Sequence, residues 1–358
     1  MKITNIPYQS FCWVIGTTSF RTAKLNLKIE QQLILLNEFH EKYLQKSDIW
    51  IWDNESQSLY YDFMKEKEFV YGEAKRKDKD AREKTSGLVD IGLINSDRTI
   101  TEAGNKLLSI ARDGNFKEEN HFNIDKDSYV YLKQLLKTSI SVGVKVVRPY
   151  YVLAKILTEL DYLTFDEFTY LLPLAIDDNS TLNIIDCIKE NRAGKLSTED
   201  IIYEDLTNME NYQLAYEVFM DEPLSEDLVC LVGMNRKSRK YDKPYYNLLM
   251  EIIRVFYNGE KDRVYDLLLA AKKINNKPGI LWRNLIFTTS NSNSIKRNGF
   301  SAIKKDCIFK NCNSEEKIKA TFFKYMHVFK AMATLSDYFD LNRRYFNLTD
   351  TLIFEDNV

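Results

Sequence analysis

The stretch KRKDKDAREKTSGLVDIGLINSDRTITEAGNKLLSIA, Lys75–Ala111, constrains the fold more than any other segment of the chain. Its first part has the pattern of a charged helix as far as Thr85–Gly87, with Gly87 placed as a helix stop. Ile91–Ile94 reads as a short apolar strand, Asn95–Asp97 supplies turn residues, and Arg98–Ile100 returns as a second strand. Thr101 then caps a helix through Ala103, Leu107 and Leu108. A helix followed by a small hairpin is the outline of a winged helix. In that arrangement the helix lies in the major groove and the hairpin touches the DNA backbone.

The outline recurs near the C-terminus. EEKIKATFFKYMHVFKAMATLSDYFDLNRRYFNLTD predicts a long helix from about Glu315 and strands at Tyr338–Leu341 and Tyr345–Leu348. A basic turn, Asn342–Arg344, separates the strands, and Thr349 closes them. Between these ends, amphipathic spacing predicts helices over Tyr129–Ser139, Pro149–Leu160, Thr164–Ala175, Pro244–Tyr257 and Lys261–Ile274. Pro149 suits a first helical position, and Thr164 with Glu167 forms a capping box. The helical pair they start is open to two readings, a DNA-reading unit or ordinary core. The polar, aperiodic GNFKEENHFNIDKD, within Arg112–Asp127, is the expected domain boundary. The expected fold is therefore mainly α with small β-hairpins (α+β), built from two tandem winged-helix-like DNA-binding subdomains, residues 1–125 and 126–358.

Composition narrows the class. The 358 residues suit about two domains, and 44% hydrophobic content with 22 Tyr and 20 Phe excludes a disordered chain. Fifty Lys+Arg against 52 Asp+Glu leave a net charge of −2, so local charge must identify any polyanionic partner. The five cysteines are scattered without a CxxC pair, and the odd count fits reduced cytosolic thiols. MKITNIPYQSF lacks the apolar core of a signal peptide, and no stretch approaches the ~20 apolar residues of a membrane span. The expectation is a soluble cytoplasmic protein with no membrane partner.

Charge concentrates in three places. Lys75, Arg76, Lys77, Lys79, Arg82 and Lys84 lie within ten residues, interleaved with Asp78, Asp80 and Glu83. On a helix Lys75, Lys79 and Arg82 share roughly one face with Ser86 close by, and Arg76 and Asp80 are spaced to pair. Such pairs alone describe a solvated helix. Placed before a hairpin, the same helix suits a groove, with Arg82 the residue for a guanine edge and the lysines for phosphates. GMNRKSRKYDKPYYNLL offers Arg236, Lys237, Arg239 and Lys240 in a loop between Gly233 and Pro244, suited to backbone contact. Arg343 and Arg344 in the C-terminal turn are the third group. At the other end, WVIGTTSFR delivers Thr17, Thr18, Ser19 and Arg21 together after an apolar run. These side chains suit a phosphate, and they equally suit the start of a helix near Thr22–Leu25.

Catalytic signals are sparse. His40, His121 and His327 lack metal or triad spacing, and there is no HExxH, GxSxG or Walker A pattern. FVYGEAK places Glu73 and Lys75 downstream of Asp62, similar to the Asp…Glu-x-Lys set with which nucleases bind a divalent metal. Against it, Lys75 runs straight into the charged helix and Asp62 lies in YYDFMKEK, which reads as helix. Two alternatives to a recognition module stay open: a complete metal-dependent endonuclease using Asp62, Glu73 and Lys75, and a winged-helix transcription regulator.

TTSFR, AREKTSGLVDIGLINSDRTITEAGNKLL, RPYYVLAKILTELDYLTFDEFTYLLPLA and FDLNRRYFNLTD together resemble the N-terminal part of the AlwI-type family of type IIS restriction and nicking endonucleases. The resemblance spans essentially the whole chain. It implies two tandem DNA-binding subdomains, then a linker and a separate metal-dependent nuclease domain. The sequence stops at FEDNV, just after the second expected wing. The expectation is thus a recognition region with no catalytic residue or cofactor of its own, Mg²⁺ serving only a separate nuclease domain or subunit. The implied partners are double-stranded DNA with a short asymmetric site and a functionally paired DNA methyltransferase. The hydroxyls of TTSFR and Arg21 would then donate to phosphate oxygens.

Overall fold

The computed structural model of the chain describes residues 11–45, 49–233 and 241–355. Among these the architecture is mainly helical, with one two-stranded antiparallel sheet. Two compact units divide the chain, and neither follows the expected 1–125 and 126–358 split. The polar stretch after Arg112 is a loop inside the first unit rather than a boundary.

The first unit comprises Trp13–Ile185 and the chain from Asp337 onward. It holds α1 (Leu25–Leu44), α2 (Asn54–Glu66), α3 (Lys77–Asp90), α4 (Glu102–Asp113) and α5 (Lys126–Lys137). A hairpin of β1 (Ile140–Val142) and β2 (Lys145–Val147) follows, then α6 (Pro149–Leu160) and the start of α7 (Asp178–Arg192). Local chemistry explains several ends. Asp53 caps α2 by accepting from the Glu55 and Ser56 amides at 3.1 and 2.9 Å. Thr101 caps α4 through the Gly104 amide at 3.1 Å, and Gly114 ends that helix with a φ of 66°. Pro149 stands in the first turn of α6. The capping box is present, with Thr164 N–H donating to Glu167 Oε2 at 2.7 Å and Glu167 N–H to Thr164 Oγ1 at 3.3 Å. It opens a short α, π and 3-10 run through Leu174 rather than one regular helix.

The second unit takes Asp186–Ser336 together with Phe11 and Cys12. Besides the end of α7 it contains α8 (Thr198–Thr207), α9 (Glu210–Asp221), α10 (Glu226–Val232), α11 (Lys243–Ile252), α12 (Val264–Lys273), α13 (Asn276–Ile286) and α14 (Ser292–Asn298). It also holds α15 (Glu315–Phe346) up to Ser336. Its core stacks Trp282 on Phe322, with ring centroids 5.0 Å apart. His327 is buried there between the carbonyls of Phe323 and Val232, at 2.8 and 2.9 Å. None of the five cysteines, all among the described residues, forms a disulfide. No helix among the described residues is long and apolar enough to cross a membrane.

Three expectations about local structure need correction. Gly87 does not stop α3, which continues to Asp90. A Cβ at Gly87 would lie 2.5 Å from the Phe20 ring, so the glycine allows close packing inside the helix. The hairpin expected at Ile91–Ile100 is reduced to a turn with one antiparallel bridge, Ile94 to Ile100. The second expected hairpin is absent, because Tyr338–Phe346 belongs to α15. There Leu341, Tyr345 and Phe346 fall on one buried side at helical spacing, and Arg344 pairs with Asp340 at i,i+4. Conversely, β1 and β2 were not anticipated; they pair Ile140 with Val147 and Val142 with Lys145 across a turn at Gly143, φ 61°.

Candidate nucleic-acid interface

The apolar run before the hydroxyl cluster folds as a seam within the first unit. Trp13 Nε1 donates to the Ala175 carbonyl at 3.0 Å, and the Ile15 amide donates to Asn342 Oδ1 at 2.9 Å. Gly16, at φ 73°, lies against the Tyr345 ring, 2.3 Å from where its Cβ would stand. Phe20 is buried beside the same ring. Thr18–Phe20 forms one 3-10 turn. The helix-start alternative for this cluster fails, because α1 begins at Leu25 behind Lys24 with no side-chain cap. Thr22 Oγ1 instead donates to the Ala23 carbonyl.

This seam carries α3. Ala81, Thr85 and Leu88 are fully buried, whereas Lys79, Arg82 and Glu83 face outward. Ser86 Oγ donates to Thr17 Oγ1 at 3.4 Å, so two of the anticipated residues, 69 positions apart, meet in space. Ser19 is half-buried and Arg21 exposed in the same segment, the Arg21 guanidinium bonding the Asp337 carbonyl.

The charges of α3 are mostly paired, though not as i,i+4 spacing suggested for Arg76 and Asp80. Arg76 precedes the helix and bonds Asp78 at 2.7 Å, and Arg82 reaches the same carboxylate at 3.4 Å. The Arg76 guanidinium holds the Asp78 carboxyl below the usual carboxylate range. Lys79 pairs with Glu83 at 3.4 Å, and Lys77 with Asp62 at 2.7 Å. Lys75 and Lys84 make no ion pair among the described residues; Lys75 is exposed and Lys84 half-buried.

The turn after α3 is fastened to it by a residue whose role the sequence did not reveal. Arg98, at φ 67°, donates from Nε to Thr85 Oγ1 at 2.9 Å and bonds the Ser96 carbonyl. Its guanidinium also lies 5.4 Å from the Trp52 ring, and Trp50 Nε1 donates to the Asp97 carbonyl at 2.7 Å. An arginine in an Asn-x-Asp-Arg turn was the available signal. Its partners, Trp50, Trp52 and Thr85, lie too far along the chain to be inferred.

The remaining anticipated groups fare differently. Arg343 and Arg344 stand in the last turns of α15, both bonded to Asp340, at 3.4 and 2.9 Å. Arg344 also bonds the Thr22 carbonyl. Arg236, Lys237, Arg239 and Lys240 lie outside the described residues. Asp62 and Glu73 each carry a lysine partner: Lys77 binds Asp62, and Lys65 binds Glu73 and lowers the pKa of its carboxyl. Among the described residues no three His, Cys, Asp or Glu side chains are grouped to hold a metal. His40 is likewise spent on packing, its pKa pushed down to about 4 by burial beside Trp50.

No curated protein and no solved structure matched the chain. A family model described as AlwI restriction endonuclease matches residues 89–358.

Proposed function

The chain belongs to the AlwI restriction endonuclease family, and from that premise we propose that it recognises a short, asymmetric duplex sequence through α3, in the service of DNA restriction. DNA is the substrate class that the family description implies. The observation that carries the reading is the two-sidedness of α3. Its buried side, Ala81, Thr85 and Leu88, roots it in the first unit, and its outward side presents Lys79 and Arg82.

In this reading α1 to α4 act as a winged-helix-like unit, with α3 in the major groove and the turn Asn95–Arg98 on the backbone. Arg82 leaves Asp78 to bond a guanine bidentately, and Arg76 keeps that carboxylate neutralised at 2.7 Å. Lys75, Lys77, Lys79 and Lys84 serve phosphates, as do Thr17, Thr18, Ser19 and Arg21. The loop Arg236–Lys240 is proposed as a further backbone contact. Cleavage is assigned to a separate Mg²⁺-dependent nuclease domain or subunit, with Asp62 and Glu73 left in their lysine pairs. A DNA methyltransferase is the expected functional partner.

Selection of binding sites from random duplexes supplies the cognate sequence. Arg82→Ala is then expected to lose about 1–3 kcal/mol on that sequence and little on random DNA. Equal losses on both would remove Arg82 from base reading and leave it on a phosphate.

A further inference from the structure

A cleft of about 790 Å³ lies between α4 and α5 in the first unit. Helical spacing places Glu102, Asn105, Lys106 and Ser109 of α4 on its one wall. Val130, Lys133, Gln134 and Lys137 of α5 form the other. The Gln134 amide is already engaged, donating to the carbonyls of Ile91 and Gly92 at 3.0 Å each. It thereby ties α5 to the turn that ends α3. Gly92 itself lines the cleft, so this site begins where α3 stops.

The charge of the cleft differs from that of α3. Lys106, Lys133 and Lys137 are all exposed, and none forms an ion pair among the described residues. Glu102, at the first turn of α4, is the one carboxylate among the lining residues. On α3 Arg82, Lys79 and Lys77 must leave Asp78, Glu83 and Asp62 before they can meet another anion, and only the half-buried Lys84 is without an ion pair among the described residues. The three cleft lysines have no such partner to surrender. Asn105 and Ser109 add neutral donors on the same wall. A concave site with three unpaired ammonium groups and two small donors suits a linear polyanion whose charges recur along it.

We infer that the α4–α5 cleft seats the phosphate backbone of duplex DNA without regard to sequence, with Lys106, Lys133 and Lys137 each neutralising one phosphate. The inference rests on the reading of the chain as a DNA-binding protein and adds a site that α3 recognition does not need.

The test measures the affinity of the full chain for a random-sequence duplex over a series of NaCl concentrations, for the unaltered protein and for Lys106→Gln/Lys133→Gln/Lys137→Gln. The slope of log K against log[salt] is expected to become shallower by about 0.9 for each lysine and by about 2.7 for the three. Arginine at the same three positions is expected to keep the original slope, which separates lost charge from lost fold. An unchanged slope in the glutamine variant overturns the cleft assignment while leaving recognition by α3 standing. A shallow slope in the arginine variant overturns it as well. Failure of the unaltered protein to bind any duplex at low salt overturns the reading on which the inference rests.

Discussion

Asn95–Thr101 and Asn342–Thr349 carry the same residue types in a similar order: asparagine, arginine, a β-branched or aromatic pair, and a closing threonine. One is a tight turn and the other the end of a long helix. In the turn, the bonds among Asn95, Asp97 and Thr99 are short in sequence, while Arg98 and the Asp97 carbonyl reach further, to Thr85, Trp52 and Trp50. Asn95 N–H donates to the Thr99 carbonyl at 2.8 Å, and Asp97 Oδ1 accepts from the Thr99 amide and hydroxyl at 3.0 and 2.7 Å. Such side-chain-to-backbone bonding is what makes Asn and Asp turn formers. In the helix the polar side chains reach far along the chain instead, Asn342 to Ile15 and Arg344 to Thr22. The threonines mirror this. Thr101 opens α4 by accepting from Gly104, whereas Thr349 closes α15 by donating to the Phe346 carbonyl at 2.9 Å. Local residue grammar therefore decides the outcome where the distant contacts leave the segment's own short-range bonds in place.

Substitutions at three positions test that contrast, the positions taken in falling order of the largest effect expected at each. Tyr345 is fully buried against Gly16, Phe20 and Gly87. Tyr345→Ala is expected to destabilise the first unit by about 4 kcal/mol, read from urea unfolding. Its hydroxyl is buried without a hydrogen-bond partner among the described residues, so Tyr345→Phe should be neutral or stabilising by up to about 1 kcal/mol. A sizeable loss in the phenylalanine variant would show that the hydroxyl, not ring packing, holds the helical segment. Arg98→Ala removes the bonds to Thr85 and Ser96 and the Trp52 contact, and about 2 kcal/mol should be lost. If it costs as much as Tyr345→Ala, the turn depends on distant partners as heavily as the helix does, and the contrast fails. Thr101→Ala removes one cap and should cost about 1 kcal/mol, visible as a lower melting temperature. An effect near zero would mean that the turn needs no closing residue.

The same distinction explains what was legible beforehand. Pro149–Leu160, the Thr164–Glu167 box and the Thr101 cap were readable because the signal and its consequence lie within four residues. Tyr338–Leu348 misled because alternating aromatic and polar residues imitate strands. What overrides them is packing against Trp13–Phe20, more than 300 positions away. The hairpin at Ile140–Val147 did carry a signal, β-branched residues on both sides of Gly143, and it went unread among stronger helical patterns. For the candidate interface, composition pointed to α3 but said nothing of which charges would be paired. The meeting of Thr17 with Ser86, and of Lys106 with Lys133 and Lys137 around one cleft, exists only once the helices are packed.

The two glycines pressed on Tyr345 have a consequence for redesign. An added carbon at Gly16 would meet the Tyr345 ring and one at Gly87 the Phe20 ring, so a side chain at either position would push α3 off this seam. On the proposed reading of α3, new target preferences would come from exchanging its outward side chains, Lys79, Arg82 and Glu83. A library varied at those three positions leaves Gly87 and the buried Ala81, Thr85 and Leu88 untouched.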